Sequence, residues 1–359
     1  MTNQKLRVGI IGANVTYGWG PRAHLPAILG LPEFELTAVC TAHRETSEAS
    51  QKKFGAIHAF HDYRKIINHP DIDIVSVVVK VPQHHEMTMA ALKAGKHVFT
   101  EWPLGATLEE AQEMADLAKV KRVHTMVGMQ RRCSPIYLRL KELIDDGYVG
   151  TILSCSLKQI GSGVQTRTSD RTWQKDASLG ANTLTIAFGH AIDALTMCVG
   201  ELSEVSAIIS TQVKQWYESD TGKYVDVTSP DNILVSGKLE NGAVLSAHVA
   251  VQPYHGSGQH LEIYGTEGTL VVDHGETRLL GAKSGQKELE EIPIPARLTW
   301  IPSDIPQGPP FNVAQMYRRF GEAIISGKRA EPDFYSALER HRLITAIEKS
   351  SREGIRQEI

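Results

Sequence analysis

The apolar run Leu6–Ile11 ends at Gly12, and this junction restricts the fold more than any other feature of the chain. A second β-rich run, Glu35–Cys40, follows after a stretch that is long enough for one helix. Strand, glycine turn, helix and strand in this order predict a βαβ unit. The strands are apolar at nearly every position, as they must be when helices cover both faces of a parallel sheet.

The same alternation continues toward residue 130. Strands are predicted at Ile74–Val79, His97–Phe99 and His124–Gly128, with helices at Glu86–Ala94 and Leu108–Lys119. This pattern predicts an α/β fold for residues 1–130, a Rossmann domain with a doubly wound parallel sheet that binds a dinucleotide.

The pattern changes after Gly150. Two alternating runs, 233–239 and 243–249, flank Asn241-Gly242, the strongest short signal for a β-hairpin. Further strands are predicted at 260–264 and 269–273, and helices at 313–326 and 333–351. Residues 131–359 are therefore expected to form a second, α+β domain with a mostly antiparallel open sheet.

Composition excludes several classes of function. The 38 basic and 41 acidic residues form no basic block that would neutralise nucleic-acid phosphates. No apolar stretch reaches the ~20 residues of a membrane helix, and the start lacks a signal-peptide core, so we expect a cytoplasmic protein without a membrane partner. The four cysteines are widely spaced and predict reduced thiols.

Residues 12–20 occupy the position of a Rossmann phosphate loop. Gly12 suits the tight turn, but Asn14 replaces the second glycine of the usual motif and Gly18 lies one residue late. Tyr17 and Trp19 complete the predicted loop. Its position between strand and helix favours dinucleotide binding over the alternative, a turn that is merely rich in glycine.

The end of the second strand favours NADP over NAD. NAD enzymes usually carry a carboxylate there for the ribose hydroxyls, whereas this chain has Thr41, His43 and Arg44 in the segment. A guanidinium would attract a 2′-phosphate. The alternative is that Arg44 is only the exposed start of a helix.

Further motifs follow in a specific order: Val81-Pro82-Gln83-His84, Ala94-Gly95-Lys96-His97-Val98, Glu101-Trp102-Pro103-Leu104, Gly128-Met129-Gln130-Arg131-Arg132, Gly147-Tyr148-Val149-Gly150 and Gly189-His190-Ala191-Ile192-Asp193. With them the chain resembles the Gfo/Idh/MocA family, the relatives of glucose-fructose oxidoreductase and inositol dehydrogenase, along nearly its full length. The resemblance implies a nicotinamide cofactor, a sugar or polyol substrate, and a homodimer or homotetramer.

The phosphate loop and Glu-Trp-Pro look most like a subgroup that includes the yeast galactose-pathway repressor. The family's usual catalytic set is the lysine of Glu-Lys-Pro with an aspartate and a histidine four residues apart. Here the histidine is His190, the lysine position holds Trp102, and the aspartate position falls on Ile186 or Thr185.

Two residues are candidates for proton exchange. The resemblance places His190 in this role, with a packed helix residue as the alternative. Lys80 ends an apolar strand at the edge where ligands of such sheets bind. It either replaces the missing lysine, with a pKa lowered by burial, or pairs with a carboxylate such as Glu101.

The resemblance also implies the remaining site residues. Glu101 and His84 border the nicotinamide ribose or serve as structural hydrogen-bonders, and Trp102 forms an apolar wall for a sugar ring or packs under the cofactor. Further cofactor contacts are expected from Val81, Gln130 and Arg131. Substrate contacts are expected from Lys158, Trp173, Asp176 and Asn182. His248, His255 and Tyr254 match no metal ligand set, so no metal is predicted.

Two functions remain. The first is an NAD(P)-dependent oxidoreductase, a dehydrogenase or reductase that acts on the CH–OH group of a sugar, sugar derivative or cyclic polyol. The alternative is a non-catalytic, nucleotide-sensing regulatory protein that resembles the yeast repressor. His190 and Lys80 favour the enzyme, and the missing lysine and aspartate favour the sensor.

Overall fold

The computed structural model describes residues 5–359, and its first part alternates strands and helices. The strands are β1 (Leu6–Ile11), β2 (Phe34–Cys40), β3 (His58–Phe60), β4 (Ile74–Val77), β5 (His97–Thr100) and β6 (Thr125–Val127). The helices are α1 (Leu25–Gly30), α2 (Arg44–Phe54), α3 (Tyr63–Ile67), α4 (His84–Lys93) and α5 (Leu108–Lys121). A π-helical turn, Gly20–His24, leads directly into α1.

The six strands form one parallel sheet in the order β3-β2-β1-β4-β5-β6. The chain moves from β1 outward to β3 and then returns to β4 on the other side of β1. The strand order therefore reverses between β1 and β4, and ligands of doubly wound sheets bind at the carboxyl ends of the strands at this point. The predicted Rossmann domain is confirmed.

The elements of the second part are more often strands. They are α6 (Pro135–Asp145), β7 (Ile152–Ser162), β8 (Thr166–Arg167), α7 (Gly189–Val199), β9 (Leu202–Ser210), β10 (Gln215–Glu218), β11 (Lys223–Asp226), β12 (Asn232–Leu239), β13 (Val244–Gln252), β14 (Gly258–Gly265), β15 (Gly268–Val272), β16 (Leu279–Lys283) and β17 (Glu290–Glu291). The chain ends with α8 (Pro309–Ser326), α9 (Phe334–Glu353) and β18 (Gln357–Glu358).

Nine of these strands form one sheet in the order β17-β16-β15-β14-β7-β13-β12-β9-β18. Only the pair β7 and β13 is parallel among the described pairings of this sheet, so the predicted mostly antiparallel sheet is confirmed. The hairpin predicted from Asn241-Gly242 joins β12 to β13, and Gly242 has the positive φ of 90° that such a turn needs. Strands β11, β10 and β8 form a separate small sheet.

The chain divides into two compact units. The first contains the described residues up to Cys133 and Thr299–Glu339, and the second contains Ser134–Leu298 and Arg340–Ile359. The predicted boundary at residue 130 lies close to the first division, but the prediction that 131–359 form one domain differs from the structure at 299–339.

Helix α8 explains why this segment belongs to the first unit. Val313, Met316, Tyr317 and Phe320 are fully buried and recur at helical spacing, so they form one apolar stripe. The stripe belongs to the core cluster that also contains β1, β2 and α1 residues. A Cβ at Gly321 would lie 2.8 Å from the Phe34 ring, which shows how closely the helix packs there.

Strand β4 ends at Val77, two residues before the predicted end. Lys80 lies between this strand end and the 3-10 turn Val81–Gln83, whose second residue is Pro82. Its side chain is exposed. Among residues 5–359, no helix combines the length and the apolarity that a membrane span needs.

Candidate nucleotide and substrate sites

Gly12 permits the close approach of two strands at the point where the strand order reverses. Its φ is +97°, and a Cβ at this position would lie 1.9 Å from the carbonyl oxygen of Val78, which follows β4. Both the backbone conformation and the contact therefore require glycine. Its amide N–H and that of Ala13 donate to the carbonyl of Cys40 at the end of β2, at 2.9 and 3.3 Å.

Gly20, rather than Gly18, is the glycine that packs the helix against the strand. A Cβ at Gly20 would lie 2.6 Å from the carbonyl oxygen of Gly12, whereas a Cβ at Gly18 would meet nothing within 4 Å. Gly18 instead supplies a φ of +99° in the loop. The sequence prediction named Gly18 and missed Gly20, although the doublet Gly18-Trp19-Gly20 carries the signal.

The interior of the loop is held by side chains. Asn14 Oδ1 accepts from the Thr16 amide N–H at 2.9 Å and from the Thr16 hydroxyl at 2.8 Å, so the residue that replaces the second glycine closes an Asx-type turn. From α2, Ser50 donates to Ala13 O at 2.6 Å and Lys53 Nζ donates to Val15 O at 2.9 Å. These contacts hold the loop backbone just before the N-terminus of the π-helical turn. The free N–H groups at the start of a helix favour an anion.

Trp19 and Tyr17 border this loop differently. Tyr17 is exposed, whereas Trp19 is half-buried and its Nε1 is buried with no hydrogen-bond partner among the described residues. A glycine cradle that a Cβ would fill and an orphaned indole N–H beside it fit a pyrophosphate-containing ligand.

In the segment predicted to bind the adenosine ribose, Thr41 and Arg44 bond residues that are close to them in the chain. The buried Thr41 hydroxyl donates to His43 O at 3.0 Å and lies 2.6 Å from the Thr46 hydroxyl, so it is already engaged. His43 is exposed and extended before α2. The Arg44 side chain is 75% exposed and its Nε donates to Glu48 Oε1 at 2.9 Å. This geometry agrees with the alternative of an exposed helix start.

Glu101, which directly follows β5, is the end point of a buried hydrogen-bond chain. Its Oε1 lies 2.8 Å from His24 Nε2, and His24 Nδ1 lies 2.8 Å from the Tyr317 hydroxyl. The Tyr317 hydroxyl lies 2.8 Å from the Ser76 hydroxyl in β4. His24, Tyr317 and Ser76 are fully buried.

The hydrogen positions in this chain follow from the chemistry of its members. A Glu101 carboxylate can only accept, so His24 donates to it through Nε2; with a neutral imidazole, Nδ1 then accepts from the Tyr317 hydroxyl, which accepts from Ser76. Burial raises the pKa of Tyr317 far above its usual range, which keeps it a phenol. Sequence reasoning found Glu101 but missed the other three residues, because no local pattern joins His24 to Tyr317.

Two residues of the Gly128–Arg132 motif lie against the Glu101 carboxylate. Gln130 Nε2 donates to Glu101 Oε2 at 3.2 Å. A Cβ at Gly128 would lie 2.5 Å from both carboxylate oxygens, so only glycine leaves room for them. Glu101 is thereby fixed at the carboxyl end of β5. Arg131, which follows Gln130, is half-buried, and the cofactor contacts predicted for Gln130 and Arg131 stay predictions.

The burial of His84 and Trp102 agrees with the structural alternative for each residue. His84 is buried, with Nδ1 2.8 Å from Pro103 O and Nε2 3.1 Å from Val79 O. Burial lowers the pKa of His84, so it is neutral and ties the β4 end to the segment after Glu101. Trp102 is only 4% exposed, which agrees with packing rather than an open wall, and Val81 is likewise buried.

Lys80 does not have the environment that one prediction required. It lies exposed at the start of the 3-10 turn, so the prediction of a lysine desolvated by burial is wrong. Its role as an electrostatic partner stays a prediction.

In the second unit, His190 lies half-buried in the first turn of α7. A π-helical turn, Thr183–Phe188, precedes it. Asn182 caps this turn, accepting from the amide groups of Leu184 and Thr185, and the Thr185 hydroxyl accepts from the Asn182 amide at 3.0 Å. Asn182 and Thr185 therefore form a capping box, and neither position 185 nor 186 offers a carboxylate.

A buried ion pair anchors α7. Asp193 lies one turn after His190, and its Oδ1 is 3.7 Å from Nε of Arg340, with both side chains 1% exposed. Arg340 also bonds Glu201. A buried guanidinium needs such partners, so the pair restricts how α7 can move.

The other predicted substrate residues are spread over the second unit. Asp176 is exposed, and its Oδ1 accepts from the Ser178 amide and hydroxyl, which lowers the pKa of Asp176 and makes it a cap. Trp173 is half-buried in a 3-10 helix. Lys158 is exposed on β7, in register with His248 on β13 and His260 on β14.

A histidine cluster lies elsewhere in the first unit. His58, His69 and Asp71 bring one ligand atom each within 4.8 Å of one another. However, the Asp71 carboxylate accepts from Arg7 at 2.8 Å and His69 Nδ1 accepts from the Asp71 amide at 3.2 Å. These bonds occupy two of the three candidate ligands in the described chain.

In the comparison with known proteins, two different family models match the earlier and the later part of the chain. A family model described as "Oxidoreductase family, NAD-binding Rossmann fold" matches residues 6–129, and one described as "Gal80p, C-terminal domain" matches residues 135–274. The dehydrogenase aclE of Aspergillus oryzae is 31% identical over 249 residues, which are 66% of this chain and 68% of that protein.

Two further relatives differ in what their names state. The galactose/lactose metabolism regulatory protein GAL80 of Saccharomyces cerevisiae is 30% identical over 289 residues, 75% of this chain and 66% of that protein. A solved levoglucosan dehydrogenase in complex with NADH and L-sorbose has a TM-score of 0.87 at 25% identity and covers 99% of both chains. The chain belongs to the Gfo/Idh/MocA oxidoreductase family, with an NAD-binding Rossmann domain and a C-terminal domain of the Gal80p type.

Proposed function

We propose that the chain is an NAD(P)-dependent oxidoreductase that acts on a CH–OH group of a sugar, a sugar derivative or a cyclic polyol. The observation that carries this proposal is the glycine cradle at the strand-order reversal, where Gly12 and Gly20 leave no room for a Cβ. Relatives named as a dehydrogenase and as a levoglucosan dehydrogenase support a sugar or polyol substrate.

The chain's own residues divide the work. Bound nicotinamide supplies the hydride acceptor or donor. Gly12 and the helix start at Gly20 hold the pyrophosphate, and Glu101, fixed by His24 and Gln130, holds the nicotinamide ribose. His190 exchanges the substrate hydroxyl proton through its imidazole. Lys80, at the start of the 3-10 turn that follows β4, contributes positive charge.

We further propose that NADP is preferred over NAD. No carboxylate lies between Cys40 and Arg44 at the end of β2, and the exposed Arg44 guanidinium can exchange Glu48 for a 2′-phosphate. The relative solved with NADH shows that the family also accepts NAD, so the preference is a property of this loop.

An exposed sheet face supports a homodimer or homotetramer. Ser206, Ser236, Ser246 and Ser156 lie in register across β9, β12, β13 and β7, on the face opposite the buried core residues. Two apolar side chains are exposed on the same face: Ile208 is 64% exposed and Leu234 is 46% exposed. A flat face with small and apolar side chains suits packing on a second copy. Leu234→Arg should reduce the mass measured by light scattering.

The alternative function is a non-catalytic, nucleotide-sensing regulatory protein. It is favoured by the buried Trp102 at the lysine position and by Thr185 in a capping box near the aspartate position. The GAL80 relative, named as a regulatory protein, supports it. The oxidoreductase and the regulatory protein would both use the nucleotide site. Turnover of a substrate therefore distinguishes the two functions.

The test is a screen of sugars and polyols with NAD and NADP, followed by absorbance of the reduced cofactor, with nucleotide affinity measured by calorimetry. His190→Asn should keep nucleotide affinity and reduce turnover by ~10²–10⁴-fold. His61→Asn, an exposed histidine of the first unit, is the matched control and should turn over at the wild-type rate. Nucleotide binding without turnover of any compound would support the regulatory alternative, and no nucleotide binding would contradict both functions.

A further inference from the structure

A pocket of about 490 Å³ opens in the second unit beside the small sheet of β8, β10 and β11. Most of the residues that line it are polar or charged. They are Ser162, Gly163, Thr166, Arg167, Thr168, Arg171 and Ser219, together with the apolar Val251. This volume lies within the ~300–1,000 Å³ that small-molecule sites usually have. The lining offers hydroxyl groups and two guanidinium groups but no carboxylate.

Arg167 is held rigidly at the pocket by contacts that leave its charge uncompensated. Its guanidinium lies 4.1 Å from the centroid of the buried Trp216 ring, and one terminal nitrogen donates to Gln174 Oε1 at 3.2 Å. Its Nε is buried with no hydrogen-bond partner in the described chain. A stacked, pre-organised guanidinium loses little side-chain entropy when it binds an anion.

Arg171 places a second positive charge at the same pocket. Its side chain is exposed and forms no ion pair or hydrogen bond with any residue from 5 to 359. Burial and the charge of Arg171 together lower the pKa of Arg167 to about 10, still far above neutrality. Two like charges are therefore kept together at neutral pH.

Glu218 and Asp220, which flank the lining residue Ser219 in sequence, bond hydroxyl and amide groups. Glu218 accepts from the hydroxyls of Thr172 and Thr221, at 2.6 and 2.7 Å. Asp220 accepts from the amide and hydroxyl of Ser169, at 2.9 and 2.6 Å. Neither carboxylate forms an ion pair with Arg167 or Arg171, so both guanidinium groups stay available to the oxyanion of a ligand.

We propose that this pocket binds a polyhydroxylated anion, a sugar acid or a sugar phosphate, whose oxyanion contacts Arg167 and Arg171. The shared chemistry is an oxyanion with two or more acceptors, which matches the forked donors of guanidinium groups. The hydroxyls of Ser162, Thr166, Thr168 and Ser219 provide donors and acceptors for the ligand's own hydroxyl groups. The proposal goes beyond the oxidoreductase function and holds for a substrate or for an effector.

Isothermal titration of the full chain with glucuronate, glucose 6-phosphate, inorganic phosphate and neutral glucose tests it. One of the two sugar anions should bind saturably, and more tightly than both glucose and inorganic phosphate. Binding of glucuronate alone identifies a carboxylate site, and binding of glucose 6-phosphate alone identifies a phosphate site.

Arg171→Gln should weaken this binding by ~10-fold or more, because a charge-assisted hydrogen bond is lost, and Arg171→Lys should restore part of it. Arg356→Gln, an exposed arginine of the same unit paired with Glu204, is the matched control and should leave affinity unchanged. NAD affinity, measured separately, should not change in any variant. The proposal is overturned if neither sugar anion binds, if glucose or inorganic phosphate binds equally well, or if folded Arg171→Gln binds like the wild type.

Discussion

Tyr317→Phe tests the buried chain that ends at Glu101. The substitution removes only the hydroxyl, which lies 2.8 Å from His24 Nδ1 and 2.8 Å from the Ser76 hydroxyl. Because all three residues are fully buried, water cannot replace the lost partner without rearrangement. The variant therefore leaves one buried acceptor on His24 and one buried donor on Ser76 unsatisfied.

The expected loss follows from these two groups. Each unsatisfied buried group costs about 1–3 kcal/mol, so with two such groups the free energy of unfolding should fall by about 2–6 kcal/mol. With a urea m-value of roughly 2 kcal/mol/M, the unfolding midpoint of the first unit should drop by about 1–3 M. Hydrogen exchange of β4 and α8 amides assigns the loss to this unit.

The same variant should also weaken nucleotide binding. His24 without its hydroxyl partner no longer holds one orientation, and Glu101 loses a fixed donor. We expect roughly 10-fold weaker NAD binding by calorimetry, which corresponds to about 1.4 kcal/mol.

A double variant separates the hydrogen-bond explanation from simple packing. Tyr317→Phe with Ser76→Ala removes one of the two unsatisfied groups and should regain about 1 kcal/mol relative to Tyr317→Phe alone. Tyr224→Phe, an exposed tyrosine of the second unit, should change stability by less than about 0.5 kcal/mol. If Tyr317→Phe lost no more than this control, or if Ser76→Ala added a further loss, the chain would not be the stabilising feature argued here.

Three further predictions concern other contacts. Gly12→Ala should abolish NAD and NADP binding in calorimetry, because its Cβ would lie 1.9 Å from Val78 O, whereas Gly55→Ala, with a φ of +72° but nothing within 4 Å of its Cβ, should keep affinity. Arg44→Gln should weaken NADP roughly 10-fold more than NAD, and equal losses would remove the argument for NADP. Burial lowers the pKa of His341 to about 4, below the ~6.5 of an unfolded histidine, so the unfolded chain binds the extra proton between these values. Stability should consequently fall as pH drops below ~6.5, by about 2 kcal/mol at pH 5, and His341→Leu should remove this part of the slope in urea titrations.

Local patterns predicted the elements that depend on neighbouring residues. The run ending at Gly12 gave β1 and its turn, and Asn241-Gly242 gave the β12–β13 hairpin, because the required backbone conformation is encoded in a few adjacent residues. The predicted division of the chain followed the change from buried to alternating strands after Gly150. The predicted fold class is confirmed, but these local patterns located only part of the site.

Contacts between distant residues could not be predicted in this way. His24 and Tyr317 are 293 residues apart, and neither strand periodicity nor helix periodicity relates one to the other. The same holds for Gly20, whose requirement for glycine arises from the Gly12 carbonyl across a turn. Burial of Lys80 was predicted because a charge after three valines suggested a strand end, whereas β4 already ends at Val77 and Lys80 precedes a 3-10 turn.

The departures from the family's catalytic set are built into the packing of each unit. Trp102 is 4% exposed, so a lysine at this position would place an ammonium where an indole is now buried. Thr185 closes a capping box with Asn182; an aspartate there could still accept from the Asn182 amide, but it would lose the bond that the Thr185 hydroxyl donates to the Asn182 carbonyl. Neither position can regain its family residue by a single substitution without a structural cost. Any proton transfer in this chain must therefore use residues outside those two positions, and His190, which begins a helix anchored by the buried Asp193–Arg340 pair, is the residue of the set that is retained.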